Sequence, residues 1–156
     1  MENKETIEEY WRAKASSLGE TISDKSIAQM YRGDEPERLG IVFLTDKHLC
    51  FEYNLNPRRG ILDSILRRDL GQVKEQTLMI PLSTLKTVGM VTPAVAKRWA
   101  RRAAAPAELS ALIPARAPSL LTALLLGTCL AVCTEDSYLA LNTPRNGEWL
   151  KKLTGR

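Results

Sequence analysis

The chain has 156 residues, 44% of them hydrophobic and 26% charged, with 22 lysines and arginines against 18 acidic residues and only three cysteines. This length and apolar share predict one globular domain and exclude a disordered, collagen-like or disulfide-built chain. The odd cysteine count and the lack of a signal-peptide pattern point to a reducing, cytoplasmic setting.

Ile7, Tyr10, Trp11, Ala15 and Leu18 recur at helical spacing among charged residues, which predicts an amphipathic helix over 3–18, closed by Gly19. Residues 23–32 read as a first strand, followed by a charged turn at Gly33-Asp34-Glu35-Pro36-Glu37. Two β-rich runs, 40–45 and 48–53, flank Asp46-Lys47 and predict a hairpin with Leu49, Phe51 and Tyr53 on one face. Residues 54–75 form a long connection, with a turn at Asn56-Pro57-Arg58-Arg59-Gly60 and a short helix carrying Ile61, Leu62, Ile65, Leu66 and Leu70. Strands follow at 77–82 and 85–91, with Pro81 placing the first at a sheet margin.

A helix is expected from Pro93 to about Ala105, then a stretch punctuated by Pro106, Pro114 and Pro118, then an apolar segment from Ser119 to Leu126 broken by Gly127. Two last strands, 128–134 and 137–142, turn at Glu135-Asp136. A closing helix over 144–153 is expected, with Thr143 as N-cap, Pro144 in its first turn and Trp149, Leu150 and Leu153 as its buried stripe.

The run Gly40-Ile-Val-Phe-Leu-Thr-Asp-Lys-His-Leu-Cys-Phe51 resembles the second and third strands of GRAM and bacterial pleckstrin-homology-like domains. Ile80-Pro81-Leu82 with the strand after it, and Thr134 to Leu141 followed by Trp149, are similar to that family's next strand, last hairpin and helix. These stretches cover about half the chain. The resemblance implies an α+β fold: a pleckstrin-homology-like, partly open antiparallel barrel of about seven strands with a C-terminal helix plugging one end. To this the chain adds an N-terminal helix (1–19) and a helical insertion (92–127) before the last two strands. It also implies a non-enzymatic module that binds anionic lipid or protein partners and needs no cofactor. The chain departs from the family at Arg32-Gly-Asp-Glu-Pro-Glu-Arg38, which is more acidic than basic where lipid-binding members are basic. Stereospecific inositol phosphate recognition is therefore not expected there.

The net charge of +4 is local: residues 92–117 carry Lys97, Arg98, Arg101, Arg102 and Arg116 against Glu108 alone, and the rest of the chain balances. On a helical wheel Lys97, Arg98, Arg101 and Arg102 share one face, while Val95, Ala96, Trp99 and Ala103 share the other. A basic face backed by tryptophan suits an anionic membrane surface, with the indole at headgroup depth. The same pattern suits a helix packed on the sheet through Val95 and Trp99, with solvated arginines. A purely protein-binding adaptor or dimerising domain would use 92–127 as its docking surface. Lys97, Arg98, Trp99, Arg101 and Arg102, with Arg58 and Arg59, are the candidate lipid- or partner-binding residues.

Residues 117–134 hold no charge over a length that approaches a membrane span. Pro118 and Gly127 interrupt them, aromatic anchors are absent, and the second half reads as a strand. A buried or interfacial short helix from Leu120 to Leu126 is the expectation. His48, Cys50, Cys129 and Cys133 are the right types for zinc, but Cys129 and Cys133 would lie about 13 Å apart on an unbroken strand. Unliganded, packing cysteines are expected, and no catalytic thiol. Basic residues interleaved with aromatics on a sheet face are absent, and so is a helix-turn-helix pattern, so no nucleic-acid partner is expected.

Overall fold

The computed structural model describes residues 2–33, 37–53, 76–102 and 106–155. The strands are β1 (Ile22–Tyr31), β2 (Arg38–Thr45), β3 (His48–Tyr53), β4 (Gln76–Pro81), β5 (Leu85–Val91), β6 (Cys129–Thr134) and β7 (Tyr138–Asn142). The described helices are α1 (Glu2–Leu18), α2 (Pro93–Arg101), α3 (Pro106–Ala115), α4 (Leu120–Leu126) and α5 (Asn146–Thr154). The fold is α+β, with one open antiparallel sheet in the order β4-β3-β2-β1-β7-β6-β5. Pro81 accordingly lies on an end strand. The expected turn at Asn56–Gly60, the helix at 61–70 and most of the Gly33–Glu37 turn lie outside the described residues.

The chain forms two compact units: Met1–Ile27 with Leu39–Leu82, and Ala28–Arg38 with Ser83–Arg156. In the first, the apolar stripe of α1 packs Trp11 with Ile41, Phe43 and Cys50, supported by Ile7, Tyr10, Leu18 and Ile22. Trp11 meets Phe43 edge-on at 5.4 Å between ring centroids. One carboxylate is buried under this helix: Glu52, 2% exposed, accepts from Tyr10 Oη at 2.7 Å and sits 3.6 Å from Lys14 Nζ. Tyr10 and Lys14 come from α1, so the helix supplies a cation and a hydroxyl that offset the desolvation of Glu52.

The β2–β3 hairpin closes through a threonine. Thr45 Oγ1 accepts the backbone N–H groups of His48 at 2.8 Å and Lys47 at 3.2 Å, satisfying donors that the two-residue turn leaves free. The β6–β7 hairpin repeats the device, with Thr134 Oγ1 accepting from Ser137 N at 3.0 Å and Asp136 N at 3.3 Å.

In the second unit, one face of the sheet is built from small residues in register. Gly89 pairs with Ala131 and Ala131 with Ala140, and the track ends where Ala140 meets Tyr31. That low-relief track admits two helices: α2 contributes Ala96, Trp99 and Ala100, and α3 contributes Leu109 and Ile113, to a core shared with Cys129, Cys133 and Tyr138. Gly89 is needed for closeness here, since a Cβ there would run into Ile113 Cγ2. The alternate residues Leu130, Val132, Leu139 and Leu141 are also buried, and α5, with buried Trp149 and Leu153, packs on β5 and β6.

Three expectations need correction. The proline-punctuated stretch is helical as α3: Pro106 occupies the first turn, where no donor is needed, and Pro114, inside the helix one residue before its end, costs only one hydrogen bond. The helix after β5 ends at Arg101, and Ala103–Ala105 lie outside the described residues. The closing helix starts at Asn146 with Arg145 at its N-cap position. Thr143 instead belongs to a turn: its N–H and hydroxyl both donate to Asn146 Oδ1, at 2.8 and 2.9 Å, and its Oγ1 accepts from Arg145 N at 3.2 Å. Pro144 and Arg145 are consumed in that turn, which delays the helix.

Candidate functional site

The 92–127 segment presents two surfaces of opposite character. On α2, Lys97 and Arg98 are exposed, as are Arg101 and the following Arg102, while Ala96, Trp99 and Ala100 face the core. Arg98 and Arg101 occupy the last turn, where the helix dipole favours cations. Lys97 Nζ lies 5.2 Å from the Tyr31 ring centroid, a cation–π contact that holds one end of the basic face. A cleft of about 360 Å³ adjoins Arg102, lined by Arg32, Trp99, Asp136 and Tyr138 among others.

Trp99 does not serve as a membrane-facing indole. It is 5% exposed and meets Tyr138 edge-on at 6.1 Å, so its ring is a core element that anchors α2 to β7. The small residues of the sheet track leave the volume that the indole fills. Arg58 and Arg59 lie outside the described residues.

The second surface is α4, and here the expectation of a short helix holds while the buried alternative fails. Leu120, Leu121, Leu124, Leu125 and Leu126 are between 63% and 80% exposed, and no residue of α4 is buried. Leu112 on α3 adds 40% exposure. The helix is fixed at both ends. Ser119 Oγ accepts from Thr122 N at 3.2 Å, and the chain leaves through Gly127 at φ +76°, a conformation that side chains disfavour, with its N–H on Ala123 O at 3.0 Å. A Cβ at Gly127 would sit 4.0 Å from Pro93 Cγ, so the end of α4 abuts the start of α2. Moving each leucine side chain from water into an apolar medium is worth roughly 1 to 2 kcal/mol at this exposure. Among the described residues no single helix is long and apolar enough to cross a membrane, and α3 and α4 meet at a bend of 111°.

The remaining chemistry-bearing groups are tied into structure. Burial pushes the Cys50 thiol up to about 12 and those of Cys129 and Cys133 to about 11, so all three stay protonated at neutral pH. His48 Nδ1 lies 2.8 Å from the Glu20 carboxylate, which also accepts the Thr45 hydroxyl at 2.6 Å. Those partners, Thr45 first, hold the Glu20 carboxyl below its ordinary range. Among the described residues no group of three or more His, Cys, Asp or Glu side chains is arranged to hold a metal ion.

No protein-family model matches the chain, and no curated protein matches it. Among solved structures it is similar to the C-terminal domain of an unknown protein from Leishmania infantum, with a TM-score of 0.53 and 15% identity over 96% of this chain and 95% of that one. At that identity the likeness concerns the fold alone.

Proposed function

We propose that the chain is a non-enzymatic, pleckstrin-homology-like module that associates with anionic membrane surfaces through the basic face of α2. The strand order 4-3-2-1-7-6-5 with a closing C-terminal helix supports the pleckstrin-homology-like reading. The observation that carries the functional reading is the display of Lys97, Arg98, Arg101 and Arg102 from a helix whose apolar side is locked into the core. Those four cations are held at the surface by a rigid support, so little ordering remains to be done when a headgroup layer arrives. Each contributes about 1 kcal/mol near an anionic leaflet, so together they supply about 4 kcal/mol, equivalent to millimolar, reversible association.

Co-sedimentation with phosphatidylserine-containing vesicles tests this. Binding at low ionic strength should fade as salt rises, and replacing Lys97, Arg98, Arg101 and Arg102 together by Gln should remove the salt-sensitive part. A parent protein that never binds, or a quadruple variant that binds with the parent's salt dependence, would transfer the segment to the adaptor reading, with 92–127 docking a protein.

A further inference from the structure

We infer that α4 is a membrane-inserting element, whose leucines enter the acyl layer of one leaflet while the adjoining basic helix holds the headgroups. This inference rests on the surface-association reading and names the lipid region that α4 meets.

The distribution of the leucines selects a lipid occupant over a protein groove. At about 100° per residue, Leu120, Leu124, Leu121 and Leu125 sweep roughly 140° of the helix, and Leu126 lies about 100° further round. A groove in a partner covers one stripe of a helix, whereas acyl chains flow around whatever is offered. Thr122 and Ala123, the two remaining residues, are half-buried. By itself α4 is too short to span: seven residues rise about 10 Å, a third of the roughly 30 Å hydrocarbon core, which suits an element lying in the interface.

Charge complementarity fixes the orientation. A Cβ at Gly127 would come within 4.0 Å of Pro93, which puts the end of α4 near the start of α2, from which Lys97, Arg98, Arg101 and Arg102 follow along the axis, and Arg116 precedes α4 in the chain. From Pro93 to Thr134 the only carboxylate is Glu108, so little in this segment repels anionic lipid. Because Ser119 and Gly127 cap α4 at both ends, the apolar surface exists before any membrane is met.

The test uses a Leu124→Trp reporter in the full chain, since Trp11, Trp99 and Trp149 are all buried. Vesicles of phosphatidylcholine with phosphatidylserine, with or without bromine on the acyl chains, are the probe. The reporter's emission should shift to the blue on binding and be quenched by acyl bromine beyond any quenching in the parent. Leu121→Gln with Leu125→Gln should weaken vesicle binding about a hundredfold, leaving the salt-sensitive binding of α2 and the melting temperature in place. Vesicle binding without acyl quenching would overturn insertion and leave the surface-association reading standing. No binding by the parent would overturn both. A dimer in sedimentation equilibrium that the double Gln variant dissociates, with no quenching, would assign the leucines to a second copy and overturn the inference.

Discussion

Gly89 and Ile113 form a close helix–sheet contact in the second unit, and a single methyl group tests it. The Cβ of Gly89→Ala would lie about 1 Å inside ordinary contact with Ile113 Cγ2, so α3 or the side chain must retreat. Overpacking of this kind costs about 1 to 3 kcal/mol, and the loss is diagnostic because removing a glycine from an open strand position would otherwise stabilise by about 0.5 to 1 kcal/mol. Ile113 is 1% exposed, so Ile113→Ala alone should cost about 2 to 4 kcal/mol by leaving a cavity. In the double variant the new methyl at 89 enters the space vacated at 113, and the combined loss should fall short of the sum by about 1 kcal/mol or more. Urea unfolding of the parent, both single variants and the double variant supplies the four free energies. Additivity within about 0.5 kcal/mol would refute the claim that Gly89 exists to seat Ile113.

Trp149 is 2% exposed on α5, so Trp149→Ala should cost about 3 to 5 kcal/mol; a parent-like urea midpoint would contradict its place in the core. Thr45 and His48 hold the Glu20 carboxyl below its ordinary range, so on acidification the unfolded chain takes up the proton first. The resulting stability is present above the ordinary carboxylate pKa and lost as pH falls through the lower folded value. Melting temperatures should therefore drop more steeply below about pH 4.5 for the parent than for Glu20→Gln, and parallel curves would refute this.

Elements whose cause is local were legible in the sequence. The stripe of α1, the Thr45 and Thr134 hairpins and the end of α4 at Gly127 depend on residues a few positions apart, and their spacing announced them. Helix α3 was not legible because prolines at both ends read as interruptions, although Pro106 starts the helix, where no donor is needed, and Pro114 gives up a single hydrogen bond one residue before the end. The start of α5 was displaced by a side-chain turn between Thr143 and Asn146 that competes with an N-cap using the same residue types. For Trp99 the sequence left two readings open, a membrane-facing indole and packing on the sheet, and the second is the one observed. Its helical face was read correctly, but what that face meets is a track of Gly89, Ala131 and Ala140, assembled from strands distant in the chain. The leucines of α4 show the converse: composition announced apolarity, while only the fold shows that nothing among the described residues buries them.

Strand β6 and helix α4 are separated by only two residues, yet every residue of β6 is buried and none of α4 is. Amide protons in the two segments should consequently exchange with solvent on different clocks. Those of β6 are released only by unfolding of the second unit, whereas those of α4 are released by local opening that leaves the strands paired. The leucine helix thus adds little buried surface to the core it is attached to. Its sequence can vary widely at little cost in folding, so the surface this chain presents is free to change while the fold beneath it stays the same.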